Sequence, residues 1–314
     1  METITLGTSS LTGSRLAYGC WRVTGPVESA DLDLDHEEAA IRSITTAYEA
    51  GYTIFDHADI YANGESERVF GKVLKQISGM RDQVLVASKC GIRKAGDPDP
   101  TSPYRYDFSE GHIIGSCEES LKRLGVETLD VYMLHRPDYL SDPNEVAEAF
   151  SRLHQSGKVR EFGVSNFSPI QLNTLQQACN RPLVTNQVEL SLSQPNALND
   201  GTLEQCVVSK ITPMAWSPLC GGRLGSSDPV DLRDPDHAHR LRIRETLDLI
   251  AREHDTTRTV IAVAWLLKHP SRIVPVIGST SPEHIRELAG SVDIHLSRDD
   301  WYRLMEASAG QRLP

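Results

Sequence analysis

Short apolar runs alternate with longer amphipathic ones along nearly the whole chain. Runs rich in β-branched and aromatic residues start at Leu16, Thr53, Val84, Leu129, Val159, Val184, Thr212 and Ile273, and they predict eight buried strands. Between them, apolar residues recur at helical spacing. His36–Ala50 carries Ala39, Ala40, Ile44, Ala47 and Tyr48 on one side and stops at Gly51. Further helices are predicted over Glu65–Gln76, Ser109–Leu124, Asn144–Ser156, Pro169–Ala178 with Ser168 as N-cap, and Gly201–Ser209. His239–His254, Thr259–Lys268, Pro282–Ala289 and Arg298–Ala309 complete the set. At the start, Thr3–Leu6 and Arg15–Tyr18 flank a Ser/Gly-rich turn. This reads as an N-terminal β-hairpin or a lid strand leading into the first core strand.

Two long polar stretches, Gly91–Phe108 and Pro218–His237, exceed an ordinary connector and suggest substrate or lid loops. Eight β–α units in one chain predict a (β/α)8 TIM barrel with C-terminal helices, a single domain over residues 1–314. The competing arrangement is a doubly wound open sheet. That fold would place a Gly-x-Gly-x-x-Gly turn after its first strand, and none stands there.

The formal charge of −11 makes nucleic acid and anionic membrane poor partners, because binding to them depends on Lys and Arg neutralising phosphates. A small anionic molecule remains compatible with local cations. No apolar run approaches the roughly 20 residues that span a bilayer. Met1-Glu2-Thr3-Ile4 lacks a secretory pattern, and the six cysteines show no Cys-x-x-Cys spacing. Free thiols in a reducing cytoplasm are therefore expected. Cys20 and Cys90 sit just past strand ends, where they can line a site.

In a barrel the C-terminal strand ends converge on one face. Here they are Gly19, Asp56, Lys89, His135, Ser165-Asn166, Gln187, Trp216-Ser217 and Gly278-Ser279, and Tyr61 follows Asp56 on a loop. Strand ends become polar wherever they meet solvent. That explanation predicts mixed charges rather than Asp, Lys, His and Tyr together. A buried acid is costly without a partner, and Lys89 is available for Asp56. A Tyr has an ordinary pKa of about 10. A nearby ammonium would lower it, so Tyr61 could protonate a developing alkoxide while His135 orients the carbonyl oxygen. The set lacks an electron source, and hydride from a nicotinamide would supply it.

Phe55-Asp56-x-Ala58-x-x-Tyr61, Ser88-Lys89, Leu134-His135-Arg136-Pro137-Asp138, Gly157-Lys158-Val159-Arg160-x-Phe162-Gly163-Val164-Ser165-Asn166-Phe167, Asn186-Gln187-Val188-Glu189 and Gly278-Ser279 together resemble the aldo-keto reductases. The likeness covers nearly the whole chain and is greatest to bacterial oxidoreductases carrying Asp-His-Ala-Asp-Ile-Tyr. It implies NADPH-dependent reduction of an aldehyde or ketone, with Tyr61 as acid/base and Asp56, Lys89 and His135 as its partners. It also implies that Ser165, Asn166 and Gln187 bind the nicotinamide carboxamide and that Trp216 stacks on the ring. Ser217, Pro218, Leu219, Gly221 and Gly222 would follow the pyrophosphate. Ile277, Gly278, Ser279 and Thr280 would meet the adenosine phosphate, with His284 and Glu287 toward the adenine. Gly19, Cys20 and Trp21 would line the cofactor, Trp21 either walling the pocket or packing. The family often has Arg where His284 stands and Asn where Leu288 stands. An Arg fork grips a 2′-phosphate well, so these departures bear on NADP against NAD. His57 replaces a common Thr and reads as a packing or supporting residue.

Smaller signals read as structure. His237-Ala238-His239 lacks convergent ligands and reads as a solvated loop. Arg240, Arg242 and Arg244 read as an exposed face, an anion contact being the lesser alternative. Trp265 and Trp301 read as core. Two rivals to a reductase are a cofactor-binding regulatory protein of the same fold, with slow or vestigial activity, and a two-carboxylate hydrolase. The hydrolase would need a second acid at a strand end, where Asp56 alone is clear.

Overall fold

The computed structural model describes residues 1–25, 32–225, 230–231 and 235–313. A hairpin of β1 (Thr3–Thr5) and β2 (Thr12–Ser14) precedes β3 (Ala17–Gly19). Helix α1 (Leu34–Glu49) leads to β4 (Ile54–Asp56), and α2 (Glu65–Gln76) with the single turn α3 (Met80–Gln83) leads to β5 (Leu85–Cys90). An antiparallel ribbon, β6 (Ile92–Arg93) and β7 (Arg105–Tyr106), sits in the first long loop before α4 (Glu110–Leu124) and β8 (Leu129–Leu134). Then come α5 (Pro143–Gln155), β9 (Val159–Ser165), α6 (Pro169–Ala178), β10 (Leu183–Glu189), α7 (Thr202–Ser209) and β11 (Thr212–Trp216). The chain ends with α8 (His237–Glu253), α9 (Arg258–Leu267), β12 (Val274–Ile277), α10 (Pro282–Ala289) and α11 (Arg298–Ala309). Residues 226–229 and 232–234 of the second long loop, Pro218–His237, lie outside the described residues.

The strands β3, β4, β5, β8, β9, β10, β11 and β12 close into a parallel barrel in that order. Ala17, Ile54, Leu85, Ala87, Val131, Met133 and Met214 fill its interior, while Tyr18, Phe55, Val86, Tyr132 and Phe162 pack outward among the helices. Side chains alternate along a strand. Two residues beyond the interior positions, the same parity delivers Gly19, Asp56, Lys89, His135 and Trp216 to the C-terminal mouth.

The N-terminal hairpin closes the opposite end. Ile4, Leu6 and Leu11 join the interior cluster. The backbone N–H of Ser14 donates to Thr53 Oγ1 at 2.7 Å, and that of Gly7 to Thr212 Oγ1 at 2.8 Å. The segment is therefore a plug rather than a lid over the site, and its returning arm is Thr12–Ser14, not Arg15–Tyr18.

Two expectations about α8 fail. Arg240 and Arg244 are buried rather than exposed, and Arg240 lies 3.6 Å from the Asp236 carboxylate just before the helix. Arg244 Nε donates to the Arg223 carbonyl and Arg242 Nε to the Ala307 carbonyl in the last turn of α11. His237 and His239 begin this helix instead of lying in a solvated loop, and His239 is half-buried with Nε2 shut away from solvent. Trp265 and Trp301 stack with ring centres 5.3 Å apart, each indole N–H donating to the other's carbonyl.

Candidate active site

Asp56 ends β4 and Lys89 lies near the end of β5, the neighbouring strand. Their side chains are 2% and 0% exposed at the residue level, and Lys89 Nζ donates to Asp56 Oδ2 at 2.8 Å. The same ammonium donates to the His57 carbonyl at 2.8 Å and to Tyr61 Oη at 3.2 Å. Gln187 Nε2 donates to the second Asp56 oxygen at 2.9 Å. The buried pair thus has excellent geometry and further hydrogen bonds, the condition under which such a pair is tolerated.

Tyr61 is placed by a constrained loop. Ala62, Asn63 and Gly64, immediately after it, all adopt left-handed backbone angles. For the two residues with a Cβ this is strained and needs outside support. Lys94 Nζ supplies some of it, donating to Asn63 Oδ1 at 2.6 Å. The Asp59 N–H donates to the Lys89 carbonyl at 3.0 Å, tying the loop to β5. Behind it, the fully buried Glu67 accepts from Ser88 Oγ and Arg123 Nε, both at 2.6 Å. His135 closes the far side, its ring 5.8 Å from that of Tyr61 in an edge-on arrangement.

The electrostatics differ from the sequence expectation in one respect. Burial raises the Tyr61 phenol, Lys89 pulls it down, and Asp56 pushes it up again; the net direction is upward. The phenol is therefore held protonated near neutrality. Burial alone would lower Lys89, but Asp56 and Tyr61 more than compensate and keep it an ammonium. Burial, with the charges of Lys89 and Arg136, pushes His135 well below its ordinary value, so it is a neutral imidazole. His57 is also neutral, pushed down to about 3 chiefly by burial, and its ring packs on Phe70.

A cavity of ≈ 1140 Å³ opens over this cluster. Every site residue expected from the sequence lines it except Cys20, Cys90 and Lys89. Lys89 is sealed beneath Asp56 and Tyr61. Cys20 is fully buried in the outward-facing core, because the turn after β3 directs it toward the helices and leaves Trp21 at the cavity wall. Cys90 is likewise fully buried.

Asn166 links the mouth of the barrel. Its Nδ2 donates to the His135 carbonyl at 3.1 Å and to Ser165 Oγ at 2.8 Å, and its Oδ1 accepts from Trp216 Nε1 at 2.9 Å. Farther along, Gly221 and Gly222 both need positive φ to turn the loop after β11. The distant end of the cavity is formed by Ser279, Thr280 and the N-terminus of α10, which Ser281 caps. Sequence reasoning missed Arg136, Arg252 and Arg258, and the Thr256–Thr259 segment at the start of α9. A Thr N-cap before an apolar helix was the available signal for that segment. Glu287 accepts from Thr257 and Thr259 there.

The shape fits a dinucleotide. The volume exceeds the few hundred to 1,000 Å³ or so of a usual small-molecule site. Hydroxyls and a helix N-terminus suited to phosphate lie at one end, and the proton-transfer cluster lies at the other. The carboxylates in the wall are engaged: Asp56 by Lys89 and Gln187, Asp248 by Arg258, and Glu287 by the two threonines. Among the described residues this leaves no pair of free acids for the hydrolase alternative.

Comparison with known proteins agrees with the geometry. A family model described as the Aldo/keto reductase family matches residues 15–309. A 6-dehydroglucose reductase of Agrobacterium fabrum is 36% identical over 301 residues, covering 96% of this chain and 96% of that protein. Oxidoreductase YdhF of Escherichia coli is also 36% identical, over 100% of both chains. The solved glycerol dehydrogenase from Gluconobacter oxydans has a TM-score of 0.86 at 26% identity, covering 98% of this chain and 95% of that one.

Proposed function

The chain belongs to the aldo/keto reductase family, and from that premise we propose that it reduces a small aldehyde or ketone to an alcohol with NADPH. The observation that carries the reading is the buried Lys89 ammonium bridging the Asp56 carboxylate and the Tyr61 hydroxyl. When bound, the nicotinamide cofactor supplies hydride to the carbonyl carbon. Tyr61 gives its proton to the carbonyl oxygen, and the phenolate left behind is stabilised by Lys89. Asp56 keeps Lys89 charged and in place. His135, a neutral imidazole, donates an N–H to the same oxygen and orients it. The phenolate then recovers its proton from solvent.

Trp216 offers a flat face for the nicotinamide, and Ser165, Asn166 and Gln187 are the polar groups beside it. Ser217 to Gly222 run along the pyrophosphate. Ser279, Thr280, Ser281 and His284, with Arg252, form the polar end that favours a 2′-phosphate. We further propose that the chain acts as one domain. The Agrobacterium fabrum relative is named a 6-dehydroglucose reductase, which agrees with a small polar carbonyl substrate. Incubating the protein with NADPH and a panel of aldehydes and ketones tests the reading. NADPH absorbance should fall only when a carbonyl compound is present; no loss with any of them would overturn it.

A further inference from the structure

Arg136 immediately follows His135 and lines the mouth of the same cavity. It is half-buried, and its guanidinium carbon lies 5.4 Å over the centre of the Trp216 ring. Three nearby cations have protein acceptors: Lys89 has Asp56, Arg258 has Asp248, and Arg22 has the Gly221 carbonyl. Among the described residues Arg252 also lacks one, but it stands at the polar end assigned above to the cofactor. Among the described residues Arg136 makes no ion pair or hydrogen bond with the protein, and its recorded contact is the indole face. Glu189 feels its field without closing to an ion pair. The lining of the same cavity includes the apolar and aromatic Trp21, Ile60, Ile92 and Tyr104, and Tyr104 packs edge-on to Tyr106.

We propose that Arg136 is a specificity-determining residue that selects carbonyl substrates bearing a carboxylate or phosphate a few bonds from the reacting carbon. This rests on the reductase reading and narrows its substrate class. A guanidinium is always charged and presents paired donors matched to two oxyanion oxygens. Stacking on Trp216 fixes its plane without consuming those donors. The chain's net charge of −11 opposes anions at long range, so discrimination in their favour has to be local.

Matched substrates test this: succinic semialdehyde against butanal, and glyceraldehyde 3-phosphate against glyceraldehyde. Wild type should favour an anionic member by about 10- to 100-fold in kcat/KM, the range of a charge-assisted contact. Arg136→Gln should abolish most of that preference through KM, and Arg136→Lys should restore part of it. Added salt should shrink it. Preference for the carboxylate or for the phosphate identifies the anion. The inference is overturned if wild type favours the neutral, hydroxylated aldehyde. It is equally overturned if Arg136→Gln leaves the anionic KM in place, or weakens NADPH binding instead. If wild type reduced none of the four compounds, the reductase reading would fall. Calorimetric binding of succinate would then decide the inference alone: loss in Arg136→Gln supports it, and no binding to wild type refutes it.

Discussion

Removing the ammonium of Lys89 should damage stability and activity by separate routes. Lys89→Met leaves Asp56 buried, with Gln187 Nε2 as its remaining side-chain partner. At 2.8 Å the Coulomb attraction is about 6 kcal/mol with an effective dielectric of 20, and desolvation of both ions offsets part of it. Stripping one partner from such a pair typically costs about 3–5 kcal/mol. Lys89→Met should therefore lose that much in urea unfolding followed by Trp fluorescence. Adding Asp56→Asn removes the stranded charge and should recover a large part of the loss, so the double-mutant cycle should show coupling well above 1 kcal/mol. Activity should not follow. Tyr61 loses its 3.2 Å contact and the positive charge that stabilises its phenolate, so kcat should fall at least about 100-fold in both Lys89→Met and the double variant. If Lys89→Met were as stable and active as wild type, or if the double variant regained turnover, the roles given to the pair would be wrong.

Asp59 carries a pH dependence. Burial, with Glu67 adding to it, pushes the Asp59 carboxyl from 3.8 up to about 7, so the folded chain keeps a proton that the unfolded chain releases. Stability should fall as pH rises between about 4 and 7, by on the order of 4 kcal/mol, and Asp59→Asn should remove that slope in unfolding curves compared across the window. Gly71→Ala should separate α2 from α4. Its new Cβ would stand 2.6 Å from the Leu124 carbonyl and 2.8 Å from that of Arg123, and calorimetry should register a loss of about 1–3 kcal/mol.

Much of this architecture is legible in the sequence because it rests on period. Alternation two residues apart marked the strands, and it carries Asp56, Lys89 and His135 to one face once the barrel closes. Caps made several helix bounds coincide, as at Ser168 before α6, where a full capping box is present. The misses involve quantities that period does not carry. Arg244 and Arg242 in α8 donate to the carbonyls of Arg223 and Ala307, which no spacing within the helix announces, so this face looked exposed. Cys20 and Trp21 are adjacent, and only the turn after β3 decides which one meets the cavity. The direction of the Tyr61 shift is a balance between burial and two opposite charges. Sequence names the charges but not the depth. Arg136 sat inside a quoted motif, yet its lack of a protein acceptor is visible only when its neighbours are placed.

The central claim is that Tyr61 is the proton donor of a working reductase, and replacing that one oxygen tests it most directly. Tyr61→Phe retains the ring that packs beside His135 and removes the hydroxyl that receives the Lys89 bond. NADPH binding, read by quenching of Trp fluorescence, should stay within a few-fold of wild type. Carbonyl reduction should drop by about 10²- to 10⁴-fold, the range expected for loss of a general acid. Equal turnover by Tyr61→Phe and wild type would contradict the account.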